Sequence, residues 1–513
     1  MNILLLSNGA PGYYRFFNKL AQRFYEDGNS VAIAVDSEFS RAENKLSQLG
    51  FPVHEFSSFF SKHKVNQSIL KRYAKYNINA ALLSDFERAE AYEVWGNRSD
   101  EFFTKLKSAL LSFFEDIVSK HKVSVVLYEN VSNTFAYFAL FVCKEHDIYY
   151  CGVGGSRLPG RFSINSDPLN DHVQIEKLTN KIQIGDIVVD TAVKKWCENY
   201  LDNIDNITPD YMKFNGVDNI NMFTKYLKLE KLQKVGRAIK HAKDDHYHSF
   251  QIGNPVNMSW QMFKRAFNRN LKTILLSSKY ENAKPGEKFL LYPLHFHPEA
   301  STSILSGSYL NEYEVIKNIA FNLPEGLMLY VKDHVSAWGY PSLEFYKKIL
   351  ALPNVRLLPP TAPTKQLIKN SAAIVTLTST VGYEALLLNK RVFLFGNVFY
   401  KFHPGVVQIS DPAKIFDIFK IELDKTIDFD RDYNLDFLAG YYLTTKPGTL
   451  NLMANNKNSE MLVRQLYDLI HENIKQALAK NGKSNISRGY EIPVQELSVS
   501  LTLTNAVTIQ RIG

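Results

Sequence analysis

The stretch AAIVTLTSTVGYEALLLNKRVFLFG, residues 372–396, decides the fold. It opens on an apolar run, AAIVTLT, that ends in hydroxyl side chains. A helical pattern, VGYEALLLN, follows, and then a second apolar run, RVFLFG. Runs that are apolar at nearly every position mark strands covered on both faces, and a strand–helix–strand order makes those strands parallel. Reading outward, the same unit recurs. KFLLYPL, GLMLYVKD and VRLLP are strands; NEYEVIKNIAFNL, LEFYKKILAL and PTKQLIKNS are the helices between them. The first half repeats the alternation with NILLLS, SVAIAVD, VSVVLYEN and IYYCGVGG, and a polar helical stretch spans roughly 60 to 120. From about 190 to 280 the pattern is mostly helical and basic. The expectation is an α/β chain with two parallel-sheet domains facing a cleft: 1–190, a helical connection 191–285, a second domain 286–430, and a helical return and tail 431–513.

Length and composition agree. A chain of 513 residues, 45% hydrophobic and 22% charged, is globular and too long for one ordinary core. Cys143, Cys151 and Cys197 form no disulfide framework and no metal-type spacing, which fits inert thiols in a reducing compartment. The start, MNILLLSNGAPG, has no basic region and too short an apolar run for a signal peptide. No segment approaches the ~20 apolar residues that cross a bilayer. These readings lead to an expectation of a cytoplasmic protein, soluble or peripheral to the inner membrane. The net charge of +8 is scattered. It allows attraction to anionic lipid or acidic substrates, and no nucleic-acid module is present to make nucleic acid a partner.

In open parallel sheets, ligands bind beyond the carboxyl ends of the strands, so strand ends are where chemistry is sought. Thr376, Thr378, Ser379 and Thr380 end one strand; Gly382 and Glu384 open the next helix. Hydroxyls and N–H groups at a helix start suit a phosphate, and equally serve as caps. VKDHV ends another strand with Lys332 and His334, suited to stabilising or protonating a phosphate leaving group, or else a polar strand end facing water. Glu129 and Asn130 end a strand of the first domain, where a carboxylate can serve as base or nucleophile. Arg157 and Arg161 lie in the Gly/Pro-rich loop GGSRLPGRFSINSDP, and guanidinium forks suit carboxylate or phosphate. SDFERAEAY offers Asp85, Glu87 and Arg88 on what reads as a solvated helix face.

YPLHFHPEAST raises the metal question, because His295 and His297 are two apart with Glu299 behind them. Neither this stretch nor KDDHYH or DFDRD supplies a recognisable ligand spacing, so no metal is assigned. His295, His297 and Glu299 are expected to line the cleft, with the choice between the histidines open. WQMFKRAFNRNLKTILL carries Phe263, Ala266, Phe267, Leu271, Ile274 and Leu275 on one side and most of its basic residues elsewhere. It fits a membrane-surface helix, although packing of its apolar side on its own domain is the favoured reading.

Taken together, YPLHFHPEASTS, VKDHV, PNVRLLPP, TLTSTVGYEALLLNKRVFLFGNVFY and KFHPGV resemble the capsule polysaccharide biosynthesis family, and NILLLSNGAPG, YENVSN and RLPGRFSI match more loosely. The resemblance implies a GT-B arrangement of two Rossmann-like domains. It implies a bacterial glycosyltransferase building capsule or lipopolysaccharide, with Kdo (3-deoxy-D-manno-octulosonic acid) moved from CMP-Kdo to a glycan or glycolipid acceptor. Partners would be the nucleotide sugar, the acceptor, and an inner-membrane surface or export complex; no cofactor beyond the CMP-sugar co-substrate is implied. Carried over, Lys332 and His334 contact the CMP phosphate and ribose side, Ser379 and Thr380 hold the phosphate, and one of His295 and His297, with Glu299, is expected on the donor-sugar side. Where relatives have His-Pro, this chain has His334–Val335. The alternatives are a UDP-sugar-using transferase, a UDP-sugar epimerase on the same fold, and a non-catalytic assembly subunit.

Overall fold

The computed structural model describes residues 1–10, 12–96, 98–207, 229–244, 247–450 and 459–481. The part of the expected tail beyond 481, and residues 245–246 of KDDHYH, lie outside them.

The first half of the chain supplies β1 (Asn2–Ser7), β2 (Ser30–Val35), β3 (Val53–Glu55), β4 (Val125–Glu129), β5 (Tyr149–Gly155) and β6 (Arg161–Asn165). The second supplies β7 (Phe289–Pro293), β8 (Met328–Lys332), β9 (Val355–Leu358), β10 (Ala373–Thr376), β11 (Val392–Leu394) and β12 (Val406–Gln408), and a short β13 (Thr445–Pro447) follows. The second sheet runs β12-β11-β10-β7-β8-β9 and is parallel throughout. The first runs β13-β6-β5-β4-β1-β2-β3, with β6 and β13 antiparallel at one edge. In both, the chain moves outward from a central strand, then returns to that strand's other side and continues the opposite way. The strand order therefore reverses between β1 and β4 in one sheet and between β7 and β10 in the other. This is the α/β, GT-B-like architecture expected from the sequence.

The strands read as apolar runs because helices cover both faces. Leu4 and Leu127 of the first sheet, and Leu291, Tyr330 and Ile374 of the second, are fully buried. Each such side chain contributes about 1.5–3 kcal/mol of burial. The helices that position the site are α1 (Tyr13–Glu26), α2 (Phe86–Ala91), α3 (Thr134–Glu145), α4 (Pro255–Ser277), α5 (Glu312–Phe321) and α6 (Thr380–Leu387). Beyond them, α7 (Arg431–Leu443) packs its Phe437 and Leu438 into the second half's core. The last helix among the described residues, α8 (Ser459–Asn481), returns to the first half. There Leu466, Ile470 and Ile474 join the first core, and the Tyr467 hydroxyl donates to Asp27 at 2.6 Å.

Two sequence expectations change. RFSIN is a strand, β6, and not loop; its buried positions alternate along the segment. The tail is not wholly helical, since β13 pairs with β6 through Lys446↔Phe162. Arg161 fixes that pairing. Its guanidinium donates to the Thr445 hydroxyl (2.6 Å) and carbonyl (2.8 Å) and to the Tyr442 carbonyl, and lies 3.5 Å from the Tyr442 ring centroid. Arg161→Ala is expected to cost about 2 kcal/mol, the scale of charged hydrogen bonds. The measurements are a lower thermal midpoint and faster protease cleavage around residues 443–450.

Candidate functional site

The two strand-order reversals bring the candidate residues together. At the first, β1 leads through a glycine loop into α1, whose opening residue is Tyr13, and β4 ends in Glu129. At the second, β7 leads into Leu294, His295, Phe296, His297 and Glu299, and β10 leads into the turn that starts α6. The two edges meet. The Tyr13 hydroxyl is pushed well above its ordinary value by Glu129, by burial and by Glu299, one carboxylate from each sheet.

On the first-sheet side, Glu129 accepts from the Ser132 hydroxyl at 2.5 Å. Burial raises its carboxyl, opposed by hydrogen bonds from Ser132 and Tyr128 and by Arg88. That makes it a stronger base than an ordinary carboxylate. Arg157 projects from the β5–β6 turn, where its backbone N–H donates to the Tyr441 hydroxyl at 2.9 Å. Its charge is felt by Glu299, Glu384 and Tyr400 of the second half. Asn130 is not open to a substrate in the same way. Its amide lies over β5, accepts from Asn165 at 3.3 Å, and needs the glycines beneath it: a Cβ at Gly154 would come within 2.7 Å of its Nδ2. Arg161 is committed to β13.

On the second-sheet side, His295 is the central buried contact. Its Nε2 receives the Thr378 backbone N–H at 3.3 Å, so that nitrogen acts as acceptor and Nδ1 carries the proton given to Glu312 at 2.7 Å. The Thr376 hydroxyl lies 3.2 Å from the same Nε2 and accepts from Ser379 N. One imidazole thus ties the β7 end to the β10–α6 turn and to α5. His297 has a different role. Nδ1 faces both Glu87 oxygens, at 2.8 and 3.0 Å, and Nε2 faces Glu312 at 3.3 Å. Burial works to lower its pKa, but the bonds to Glu312 and Glu87 outweigh it and push it up to about 10. His297 is therefore an imidazolium between a carboxylate of each half. Burial opposes the ionisation of Glu312, yet the two histidines bring it down to about 2. The Glu299 backbone N–H donates to Thr302 at 3.3 Å; burial raises its carboxyl, while Arg157, His295 and His297 pull it back.

His334 is held neutral. Burial, with the nearby Lys332 ammonium, lowers it to about 4. Its Nδ1 accepts from Ser336 N at 3.2 Å, leaving the proton on Nε2 as a donor. The Phe296 ring stacks beside it. Lys332, expected to face the cleft, is buried instead, and its ammonium donates to the carbonyls of Pro360 (2.9 Å) and Asp333 (3.3 Å). Burial lowers it to about 8. A strand-end lysine at the last ladder position finds unpaired carbonyls in the neighbouring loop before it finds solvent. Ser379 is the cap of α6, accepting from Val381 N at 3.2 Å, and Thr380 is that helix's first residue. Gly382 leaves room for Tyr400, since a Cβ there would collide with the Tyr400 hydroxyl; that hydroxyl donates to the Ser379 carbonyl at 2.6 Å. Glu384 pairs with Lys365 at 2.8 Å.

Two participants escaped the sequence reading. Glu312 sits fifteen residues past His297 in a helix's first turn, where an acid ordinarily serves the helix dipole. Tyr13 was hidden behind the glycine loop. The SDFERAEAY stretch is not a solvated face: Asp85 is buried and accepts from Arg88, Thr134 N and Gln251, and Glu87 meets His297. A buried face within that short helix was its only signal. Among the described residues, no group of three or more His, Cys, Asp or Glu side chains is arranged to hold a metal ion.

This constellation lies largely in a segment with known relatives. Residues 195–417 match the family described as capsule polysaccharide biosynthesis protein. Of curated proteins, Protein FixF of Sinorhizobium fredii (strain NBRC 101917 / NGR234) is 30% identical over 151 residues, covering 27% of this chain and 34% of FixF. The match thus spans about a third of that relative's length. Among solved structures, the β Kdo 2,7 transferase KpsC of Thermosulfurimonas dismutans aligns at 13% identity, over 70% of this chain and 89% of its own, with a TM-score of 0.31. The UDP-GlcNAc 2-epimerase of Methanocaldococcus jannaschii, in complex with UDP-GlcNAc and UDP, aligns at 12% identity over 86% and 97%, with a TM-score of 0.29.

The His297 bridge carries a pH signature. A folded pKa raised to about 10 gives a contribution that is whole below the ordinary value of 6.5 and disappears as pH rises through 10. Thermal midpoints of the wild type and of His297→Asn, measured against pH, are expected to differ most near pH 6 and to converge by pH 10. A gap independent of pH would remove the imidazolium from the account.

Proposed function

We propose that this protein is a glycosyltransferase of bacterial capsule or lipopolysaccharide synthesis, moving Kdo or a related acidic sugar from a CMP-activated donor to a glycan acceptor. The observation that carries the reading is the meeting of the two strand-order reversals. One edge offers a neutral imidazole donor and a hydroxyl-rich helix start; the other offers a carboxylate with a raised pKa. The family match over 195–417 and the family motifs of the sequence support the same reading.

In this reading the CMP phosphate lies at the Ser379–Thr380 turn, where hydroxyls and the start of α6 favour negative charge. His334 donates from Nε2 to the departing phosphate oxygen. With a pKa near 4 it acts as a neutral hydrogen-bond donor at pH 7, not as an imidazolium acid. Lys332 supports the loop by holding the Pro360 carbonyl and reaches the phosphate only through its charge. Arg157 faces the carboxylate that distinguishes an acidic sugar from a neutral one. Glu129 takes the acceptor hydroxyl's proton as that oxygen bonds to the anomeric carbon. The bond from that carbon to the phosphate breaks, and its electron pair leaves with CMP. His295, His297 and Glu312 touch none of the reacting atoms; they hold the β7 and β10 ends in register.

The test is CMP release by the purified chain, supplied with CMP-Kdo and a glycan acceptor. Glu129→Gln and His334→Ala are each expected to lower kcat by about a hundredfold or more, and Arg157→Ala to raise KM for the acidic donor. Turnover of a UDP-sugar with an acceptor, and none of any CMP-sugar, would overturn the donor assignment. Epimerisation of UDP-GlcNAc without acceptor would overturn the reaction. Unchanged polymer in cells carrying His334→Ala would assign a non-catalytic role.

A further inference from the structure

Helix α4 is turned inside out. Its basic face packs inward: Arg269 donates to the Trp338 carbonyl at 2.6 Å and to Ser336 at 3.3 Å, and Lys272 donates to Pro341 at 2.8 Å and to Tyr340 at 3.3 Å. Arg265 and Arg269 also lie against the Tyr340 ring, at 5.2 and 4.8 Å from its centroid. The apolar side, which the sequence reading packs on its own domain, faces out. Trp260, Phe263, Phe267, Leu271 and Ile274 recur at three- and four-residue steps and so share one face. They are 60%, 52%, 63%, 52% and 70% exposed, and Leu275 beside them is 49% exposed. From Trp260 to Ile274 the stripe is about 21 Å long at the helical rise. Isolated exposed apolar residues need no explanation, whereas a continuous stripe of this length does.

Charge identifies what covers it. Between Pro255 and Tyr280 there is no Asp or Glu, while Lys264, Arg265, Arg269, Lys272 and Lys279 are all basic. Lys264 and Lys279 are exposed beside the stripe; just beyond the helix Lys284 and Lys288 are exposed, and the acids there, Glu281 and Glu287, are paired with Arg356. A second copy seated on this face would set lysine against lysine across a two-fold axis. An anionic surface that accepts both the aromatic stripe and the lysine rim satisfies both features at once.

We propose that the outward face of α4 docks the protein on an anionic membrane surface, with the helix lying in the interface plane and its aromatic and aliphatic side chains in the headgroup boundary. The helix's inner face grips the loop that follows His334, so the membrane seat and the candidate site share one short segment of chain. Among the described residues no helix is long and apolar enough to cross a membrane, so contact through this helix would be from one side.

Flotation of the full chain with phosphatidylcholine vesicles, with and without phosphatidylglycerol, tests this. Wild type is expected to float with the anionic vesicles, to be released by high salt, and to bind neutral ones weakly. The double variant Phe267→Glu, Leu271→Glu changes only exposed positions; it is expected to keep the wild-type thermal midpoint and to bind at least about tenfold more weakly. Failure of the wild type to float, equal flotation of the variant, or a dimer in sedimentation that the variant splits would each overturn the proposal.

Discussion

The reversal of strand order in each sheet is the constraint on which everything else in the molecule depends. Where β7 and β10 lie side by side but their following helices leave to opposite faces, the two strand ends leave a crevice no helix fills. The chain closes it with polar side chains of its own. His295 spans it, receiving the Thr378 N–H and giving a proton to Glu312. Without that imidazole the β10–α6 turn would lose the group that fixes its backbone, and Glu312 would be a buried carboxylate without its nearest partner. The first sheet repeats the arrangement with Tyr13 after β1 and Glu129 at the end of β4. A site shared by both halves follows from the topology, before any particular chemistry is assigned to it.

Division of labour among the histidines follows from their surroundings, since all begin with the same ring. His297 has a carboxylate at each nitrogen and is driven to the charged form; His334 has buried surroundings, the positive Lys332 and His297 nearby and a backbone donor at Nδ1, and is driven to the neutral form. The first suits a fixed electrostatic bridge and the second a hydrogen-bond donor next to a leaving group. Three imidazoles within one node therefore serve as positioning group, clasp and donor, and the acid partners Glu312 and Glu87 make that separation.

Much of the fold was legible because parallel strands buried on both faces leave apolar runs that no surface segment imitates. NILLLS, SVAIAV, FLLYP and AIVT were read almost to their ends. β6 and β13 were not: β6 is buried only at alternate positions inside a Gly/Pro-rich stretch, and the three-residue edge strand β13 is defined by its pairing with β6, far earlier in the chain. At the site, strand ends were legible and directions were not. Lys332, His334 and Arg161 all sat at legible positions, yet Lys332 turned to a carbonyl and Arg161 to β13, since each found a closer unsatisfied acceptor than any ligand. Glu312 carried no local signal and Glu87 read as part of a solvated face, because what makes them matter is a histidine that meets them only in the folded chain. Helix α4 showed its amphipathic spacing plainly; the sequence does not say which of two faces turns inward, and the carbonyls of the loop at 336–341 decided it by taking Arg269 and Lys272.

The account's central claim is that the nucleotide of the donor lies at the second sheet's reversal, between the Ser379–Thr380 turn and His334. A crystal structure of the chain grown with CMP tests it most directly. The account predicts density for the phosphate within hydrogen-bonding distance of the α6 start and of His334 Nε2, with His295 still joined to Glu312 and Thr378. CMP bound away from β7 and β10, or a site filled by UDP and left empty by CMP, would contradict it.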